Sequence, residues 1–212
     1  MNYTNLNQKK DVIKIVKKTK LIEHFFTLNL YEVQHALFEG GFSDKLNRVI
    51  LERGHAVGLL PYDPEQDSVL LIEQFRLGAH VANLPPWQLE IIAGMIDDNE
   101  IPEDAIKRES LEESNLEVSQ LREITKYLST SGGSSETMQL YCSKFLSSDI
   151  LTKFSGLKTE HEDIKIHIVP REEAFKMVEE GIIQNAAAII ALQWLELNYQ
   201  ELKKEWYILN AE

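Results

Sequence analysis

Residues 94–116, GMIDDNEIPEDAIKRESLEESNL, constrain this chain more than any other stretch. Gly94 is followed after five residues by Glu100, after seven more by Arg108 and Glu109, and then by the pair Glu112 and Glu113. On a helix, Glu109, Glu112 and Glu113 fall at i, i+3 and i+4 and share one face. Pro102 suits the first turn, where its missing N–H is not needed, and Glu103 and Asp104 complement the positive end of the helix dipole. Asn115 tolerates the left-handed conformation of a helix stop. The spacing therefore predicts a loop, a helix over 102–114 and a sharp exit.

Acidic residues on a helix ordinarily mark a solvated face. Here Glu109, Glu113 and Glu117 form a like-charge ladder, each step costing roughly 0.2 to 0.5 kcal/mol, and only Arg108 to Glu112 offers an obvious compensating pair. A bound cation would reverse that penalty. Three converging carboxylates supply the hard oxygens that Mg²⁺ takes, alongside substrate phosphates and retained waters.

These residues resemble the signature of the Nudix hydrolases: Gly, five residues, Glu, seven residues, Arg-Glu, an aliphatic, any, Glu-Glu, any, Gly, an aliphatic. Every charged position matches. Ser110 stands where an aliphatic is usual, which should weaken packing of the helix on its sheet, and Asn115 stands where glycine is usual. The resemblance extends to nearly the whole chain and is closest in the ADP-ribose pyrophosphatase branch. Matching segments are Glu52-Arg53-Gly54-His55-Ala56, Ile72-Glu73-Gln74-Phe75-Arg76, Glu90-Ile91-Ile92-Ala93-Gly94, Ser131-Gly132-Gly133 with Glu136, Glu160-His161-Glu162-Asp163-Ile164, and Asn185-Ala186-Ala187 with 190–195. One departure bears on substrate: that branch usually carries a proline about fifteen residues past its signature, a position held here by Ser131.

The resemblance implies a Mg²⁺-dependent enzyme, with Mn²⁺ as the alternative ion, that hydrolyses ADP-ribose to AMP and ribose 5-phosphate. It implies metal ligation by Glu109, Glu112, Glu113, Glu162 and the carbonyl of Ala93. Arg108 would orient the glutamates, Gly94 and Glu100 would shape the loop, and Glu160 would be the catalytic base. Arg76 is implied near the diphosphate, Phe25 and Arg48 near the adenine, contributed across a dimer, and Gly133 lies in a loop able to approach the ligand closely. By themselves, residues 160–162 equally fit an ordinary acidic surface loop, Phe25 and Phe26 a core pair, and Arg48 a surface residue. Another nucleoside diphosphate sugar, ADP-glucose or GDP-mannose, is the alternative substrate. A non-catalytic nucleotide-binding module is the alternative class, disfavoured because all four signature glutamates are present.

Composition narrows the partners. A net charge of −12 disfavours a nucleic-acid backbone, which needs clustered Lys and Arg. The basic cluster Lys14, Lys17, Lys18 and Lys20 reads as the polar face of an N-terminal strand. The single cysteine, Cys142, excludes an internal disulfide and a multi-thiolate zinc site, and reads as a small packed residue. No apolar run approaches membrane-spanning length and the first residues are polar, so the expectation is a soluble cytoplasmic protein without a membrane partner.

Alternation predicts strands at 12–16, 28–33, 55–60, 68–74, 88–93, 137–144 and 165–169. Helical period covers 171–180, stopped by Gly181, and 185–206, capped by Asn185, with Trp194, Leu195 and Leu197 expected in the core. The expected class is α/β (α+β): a mixed sheet between helices, which the resemblance makes a Nudix α/β/α sandwich over 51–212. Residues 1–50 are expected to form a small antiparallel β-sheet subdomain, which the resemblance assigns to dimerisation, with N-terminal sheets exchanged in a homodimer.

Overall fold

The computed structural model describes residues 12–118 and 120–208. They form two compact units, the described part of Met1–Gly54 with Leu128–Glu136, and His55–Tyr127 with the described part of Thr137–Glu212. No described helix is long and apolar enough to cross a membrane.

The first unit is a three-stranded antiparallel sheet of β1 (Ile13–Glu23), β2 (Thr27–His35) and β3 (Leu46–Glu52). β1 is not divided into a polar and an apolar face as expected. Register breaks at Ile15/Lys17 and Lys20/Ile22 shift the alternation, and nearly every position is exposed. Lys14 lies over the Phe42 ring and Lys18 pairs with Glu52 at 3.0 Å. Bulges and lysines of this kind guard an edge strand from pairing with another chain.

The second unit is built on an eight-stranded mixed sheet. Its strands are β4 (Ala56–Asp63), β5 (Ser68–Phe75), β6 (Trp87–Glu90), β7 (Ile92–Met95), β8 (Leu121–Leu128), β9 (Thr137–Lys144), β10 (Phe154–Ser155) and β11 (Ile164–Pro170). The order is β10-β11-β5-β4-β9-β8, with β6 on β5 and β7 on β4. β4 and β9 run parallel, while the β4–β7, β5–β6 and β5–β11 pairs are antiparallel. Four helices join them: α1 (Leu77–Val81), α2 (Pro102–Ser114), α3 (Arg171–Glu179) and α4 (Ala186–Ile208).

The alternation of β4 and β5 divides the core into two layers. Val57, Leu59, Leu70 and Ile72 pack with Ala105 and Ile106 of α2. Leu60, Tyr62, Val69 and Leu71 pack with Ala187, Ala191, Leu195 and Trp206 of α4. This is the expected sandwich. Cys142 is fully buried in the second layer, where burial pushes its thiol well up. Asn185 caps α4 as expected, its Oδ1 accepting Ala188 N–H at 3.2 Å, and Gly181 adopts φ 71° after α3. Leu197 departs from expectation: it is 85% exposed, on the outer side of the helix that buries Leu195.

Candidate functional site

α2 begins at Pro102, carries Glu103 and Asp104 in its first turn, and ends at Asn115 in the left-handed region with φ 54°. Asn115 N–H bonds Leu111 O at 3.0 Å, the αL form of helix stop. Ser110 does not loosen the helix. It is fully buried, and its hydroxyl donates to Leu116 O at 2.9 Å, trading an aliphatic contact for a bond that closes the exit turn. Because the helix stops there, Glu117 lies beyond it, exposed between the buried Leu116 and Val118, and the like-charge ladder ends at Glu113.

β7 pairs with β4 and lies against α2, which explains the glycine. A Cβ on Gly94 would fall 1.9 Å from the carboxyl carbon of Glu109, so Gly94 makes room for a carboxylate from within a strand rather than shaping a loop. One residue earlier, Ala93 N–H donates to Glu113 Oε2 at 3.0 Å.

Arg108 organises the rest. Its Nε and Nη2 reach Glu100 at 3.0 Å, Nη2 also reaches Met95 O at 3.0 Å, and Nη1 takes Glu109 at 2.7 Å and Glu112 at 3.1 Å. Glu100 in turn accepts Asp97 N–H at 3.0 Å, fastening the β7–α2 loop. The Glu100 carboxylate, reinforced by Glu109, raises the guanidinium further above its usual value, so Arg108 is a permanent charge.

The carboxylates on this face repel one another. Burial raises Glu113 well above the ordinary value; Ala93 N–H opposes this, and the charges of Glu109 and Glu162 add to it. Burial also raises Glu109, against Arg108 and with the charges of Glu112 and Glu162. Glu162 is held by Leu157 N–H at 3.0 Å on the segment after β10, and Gly156 at φ 102° bends the chain into it. The Glu160 backbone lies in a 3₁₀ turn, Lys158–Glu160; its side chain falls outside the described residues.

The donor set suits a hard divalent cation: buried and half-buried carboxylate oxygens whose mutual repulsion such an ion would relieve. Among the described residues no three His, Cys, Asp or Glu side chains are drawn tight enough to enclose one. Arg108 takes oxygens of Glu109 and Glu112, and Ala93 takes one of Glu113.

Arg76, just past β5, stands within the field of Glu113 and Glu162 and is gripped by Glu90 at 2.7 Å. Thus Ala93, Arg108, Glu109, Glu112, Glu113, Glu162 and Arg76 share one region. Phe25, Arg48 and Gly133 belong to the first unit. Phe25 is 78% exposed and meets Phe26 edge-on at 4.7 Å, so it is no core residue. Arg48 is exposed, its Nη1 on Asn47 O at 2.9 Å. Gly133 takes part in the turn from Thr130, and its carbonyl accepts Leu51 N–H at 2.9 Å.

Sequence reasoning passed over Glu90 as a site residue. Its one signal in the sequence is a carboxylate directly before the apolar pair Ile91 and Ile92 in a run that reads as a strand. A separate groove of about 460 Å³, lined by Glu73, Trp87, His167 and Ile182, does not include the carboxylate cluster. Strand alternation turns Glu73 away from the face of Ile72 and Glu90.

A family model described as the NUDIX domain matches residues 52–192. The chain is 44% identical over 197 residues to the ADP-ribose pyrophosphatase of Escherichia coli K12, covering 93% of this chain and 94% of that one. It is 41% identical to the ADP-ribose pyrophosphatase of Haemophilus influenzae, covering 92% and 90%. To the GDP-mannose pyrophosphatase of an Enterobacter species it is 30% identical, covering 88% and 96%. In shape it is similar to the crystal structure of an ADP compounds hydrolase, with TM-score 0.65, 18% identity and coverage of 89% and 97%.

Proposed function

The chain belongs to the Nudix hydrolases, and from that premise we propose that it cleaves the diphosphate of ADP-ribose, giving AMP and ribose 5-phosphate. The observation that carries the chemistry is the gathering of four carboxylates, Glu109, Glu112, Glu113 and Glu162, beside Arg76 and the permanent charge of Arg108. The higher identity to ADP-ribose pyrophosphatases than to GDP-mannose pyrophosphatases favours ADP-ribose.

Diphosphate cleavage needs its negative charge screened, a water activated and the leaving phosphate stabilised. Divalent metal ions, Mg²⁺ or Mn²⁺, supply the charge screening when bound. The four carboxylates and the Ala93 carbonyl are the ligands in this reading. Arg108 aims Glu109 and Glu112 through charge-assisted bonds. Glu160 accepts the proton of the attacking water. Arg76 offers a planar fork to a phosphate oxygen, Phe25 and Arg48 of a second copy hold the adenine end, and the loop at Gly133 approaches the ligand closely.

A homodimer joined through the N-terminal sheets fits the exposed Ile22 and Val49, which the strand register places on one face of the sheet for a second copy to cover. The cytoplasm is the compartment this reading expects. A second substrate reading, another nucleoside diphosphate sugar, is favoured by Ser131 in place of the branch's proline.

Initial rates of nucleoside monophosphate release from ADP-ribose, ADP-glucose, GDP-mannose and NADH, with and without Mg²⁺, test substrate and metal together. The expected outcome is a metal-dependent preference for ADP-ribose; preference for GDP-mannose transfers the assignment to the second reading. Glu112→Gln tests the ligand set, and near-normal turnover at saturating Mg²⁺ would remove Glu112 from it. Glu160→Gln should lower kcat with little change in KM.

A further inference from the structure

Glu90 closes β6 with its carboxylate 5% exposed, and four donor groups from three places converge on it. Arg76 gives Nε at 3.1 and 3.3 Å and Nη2 at 2.7 Å, Gln74 gives its amide at 3.4 Å, and Asn185 gives Nδ2 at 3.1 Å. A buried charge is tolerable only when paired and hydrogen-bonded, and this one is both. The Asn185 amide is used at both ends, Oδ1 capping α4 and Nδ2 holding Glu90.

A guanidinium carries five N–H groups in a rigid fork. Glu90 occupies the edge formed by Nε and Nη2, and Nη1 has no partner among the described residues. The Arg76 backbone is pinned as well, its N–H on Pro86 O at 2.7 Å. With the side chain 44% exposed, one edge is clamped and the other is open. Glu113 and Glu162 also attract Arg76. Without Glu90, the attraction left to the guanidinium is that of the carboxylates proposed as metal ligands, where it would compete with the metal.

We propose that Glu90, steadied by Asn185, is the positioning residue for Arg76: it fixes one edge of the guanidinium and so presents the other to the substrate diphosphate. This rests on the reading of Arg76 as a diphosphate contact. It makes two further segments, the end of β6 and the cap of α4, part of substrate recognition without touching substrate.

The test is a double-mutant cycle on the full chain with ADP-ribose and Mg²⁺, following kcat and KM for Arg76→Gln, Glu90→Gln and the pair. Loss of alignment costs on the order of tenfold to a hundredfold, so Glu90→Gln is expected to raise KM by that factor, with a smaller change in kcat. The double variant is expected to be no worse than Arg76→Gln alone, because a positioning residue has nothing left to position. Glu90→Asp, which keeps the charge, is expected to recover part of the loss. An unchanged KM in Glu90→Gln, or penalties that simply multiply, overturns the proposal. Wild-type kinetics in Arg76→Gln would instead remove the diphosphate contact itself. Should Glu90→Gln not fold, Asn185→Ser keeps a competent helix cap while deleting the strut. It is expected to raise KM several-fold at an unchanged thermal midpoint, and an unchanged KM there counts equally against the proposal.

Discussion

β4 and β1 are both rich in branched apolar residues, yet all eight positions of β4 are buried while almost all of β1 is exposed. The difference lies in their neighbours. β4 runs between β5 and β9 with α2 on one face and α4 on the other, so both sets of alternate side chains find a core. β1 is the edge of a three-stranded sheet, and Ile13, Ile15 and Ile22 remain 54–59% exposed. Its lysines and bulges discourage pairing along the edge, whereas its isoleucines stay open on both faces of the sheet. Hydrophobic pattern thus fixes that a strand forms; only the elements placed over it fix whether the chain buries it alone.

That contrast can be broken in three ways, starting where the effect should be largest. Gly94→Ala places a methyl on the Glu109 carboxyl and is expected to lower kcat/KM by about a hundredfold, as a misplacement of roughly 1 Å does; retention of full activity would show that Glu109 is free to move. Leu59→Ala in β4 opens a cavity and should cost about 2 to 5 kcal/mol in a denaturant titration, whereas Ile15→Ala should change the stability of the dilute chain by less than about 0.5 kcal/mol. Equal penalties would mean that β1 is already covered within one chain.

The smallest effect concerns acid stability. Burial works to raise Asp63, but the Ser147 hydroxyl and N–H, Gln66 N–H and Glu65 N–H outweigh it and hold its carboxyl below the ordinary 3.8. A depressed carboxylate contributes stability that is present above its unfolded value and is lost as pH falls through the folded one. Asp63→Asn should therefore be less stable at neutral pH and lose less on going below about pH 4, measured as unfolding midpoint against pH. A slope identical to wild type would move the acid-sensitive group elsewhere.

Much of the catalytic unit was legible in the sequence because its signals are local. The limits of α2 follow from Pro102 and Asn115, and β9 and β11 follow from clean alternation. β3 and β8 went unread because LNRVILE and LREITKYL interleave charges on half-exposed strands, which blurs the two-residue period. The signature carboxylates could be placed because helix geometry alone puts them on one face. Glu90 could not: its partner Asn185 is 95 residues away, and no spacing rule spans that distance. Ser110 was misread because its polarity was weighed without the carbonyl it reaches six residues on.

The lone cysteine gives this protein a built-in clock. Cys142 is sealed beneath α4 with its thiol driven up by burial, so a thiol reagent cannot react until the sandwich parts. Labelling kinetics at one native position therefore time the opening of the catalytic unit without an introduced probe, and a ligand that slows labelling must have bound the closed form.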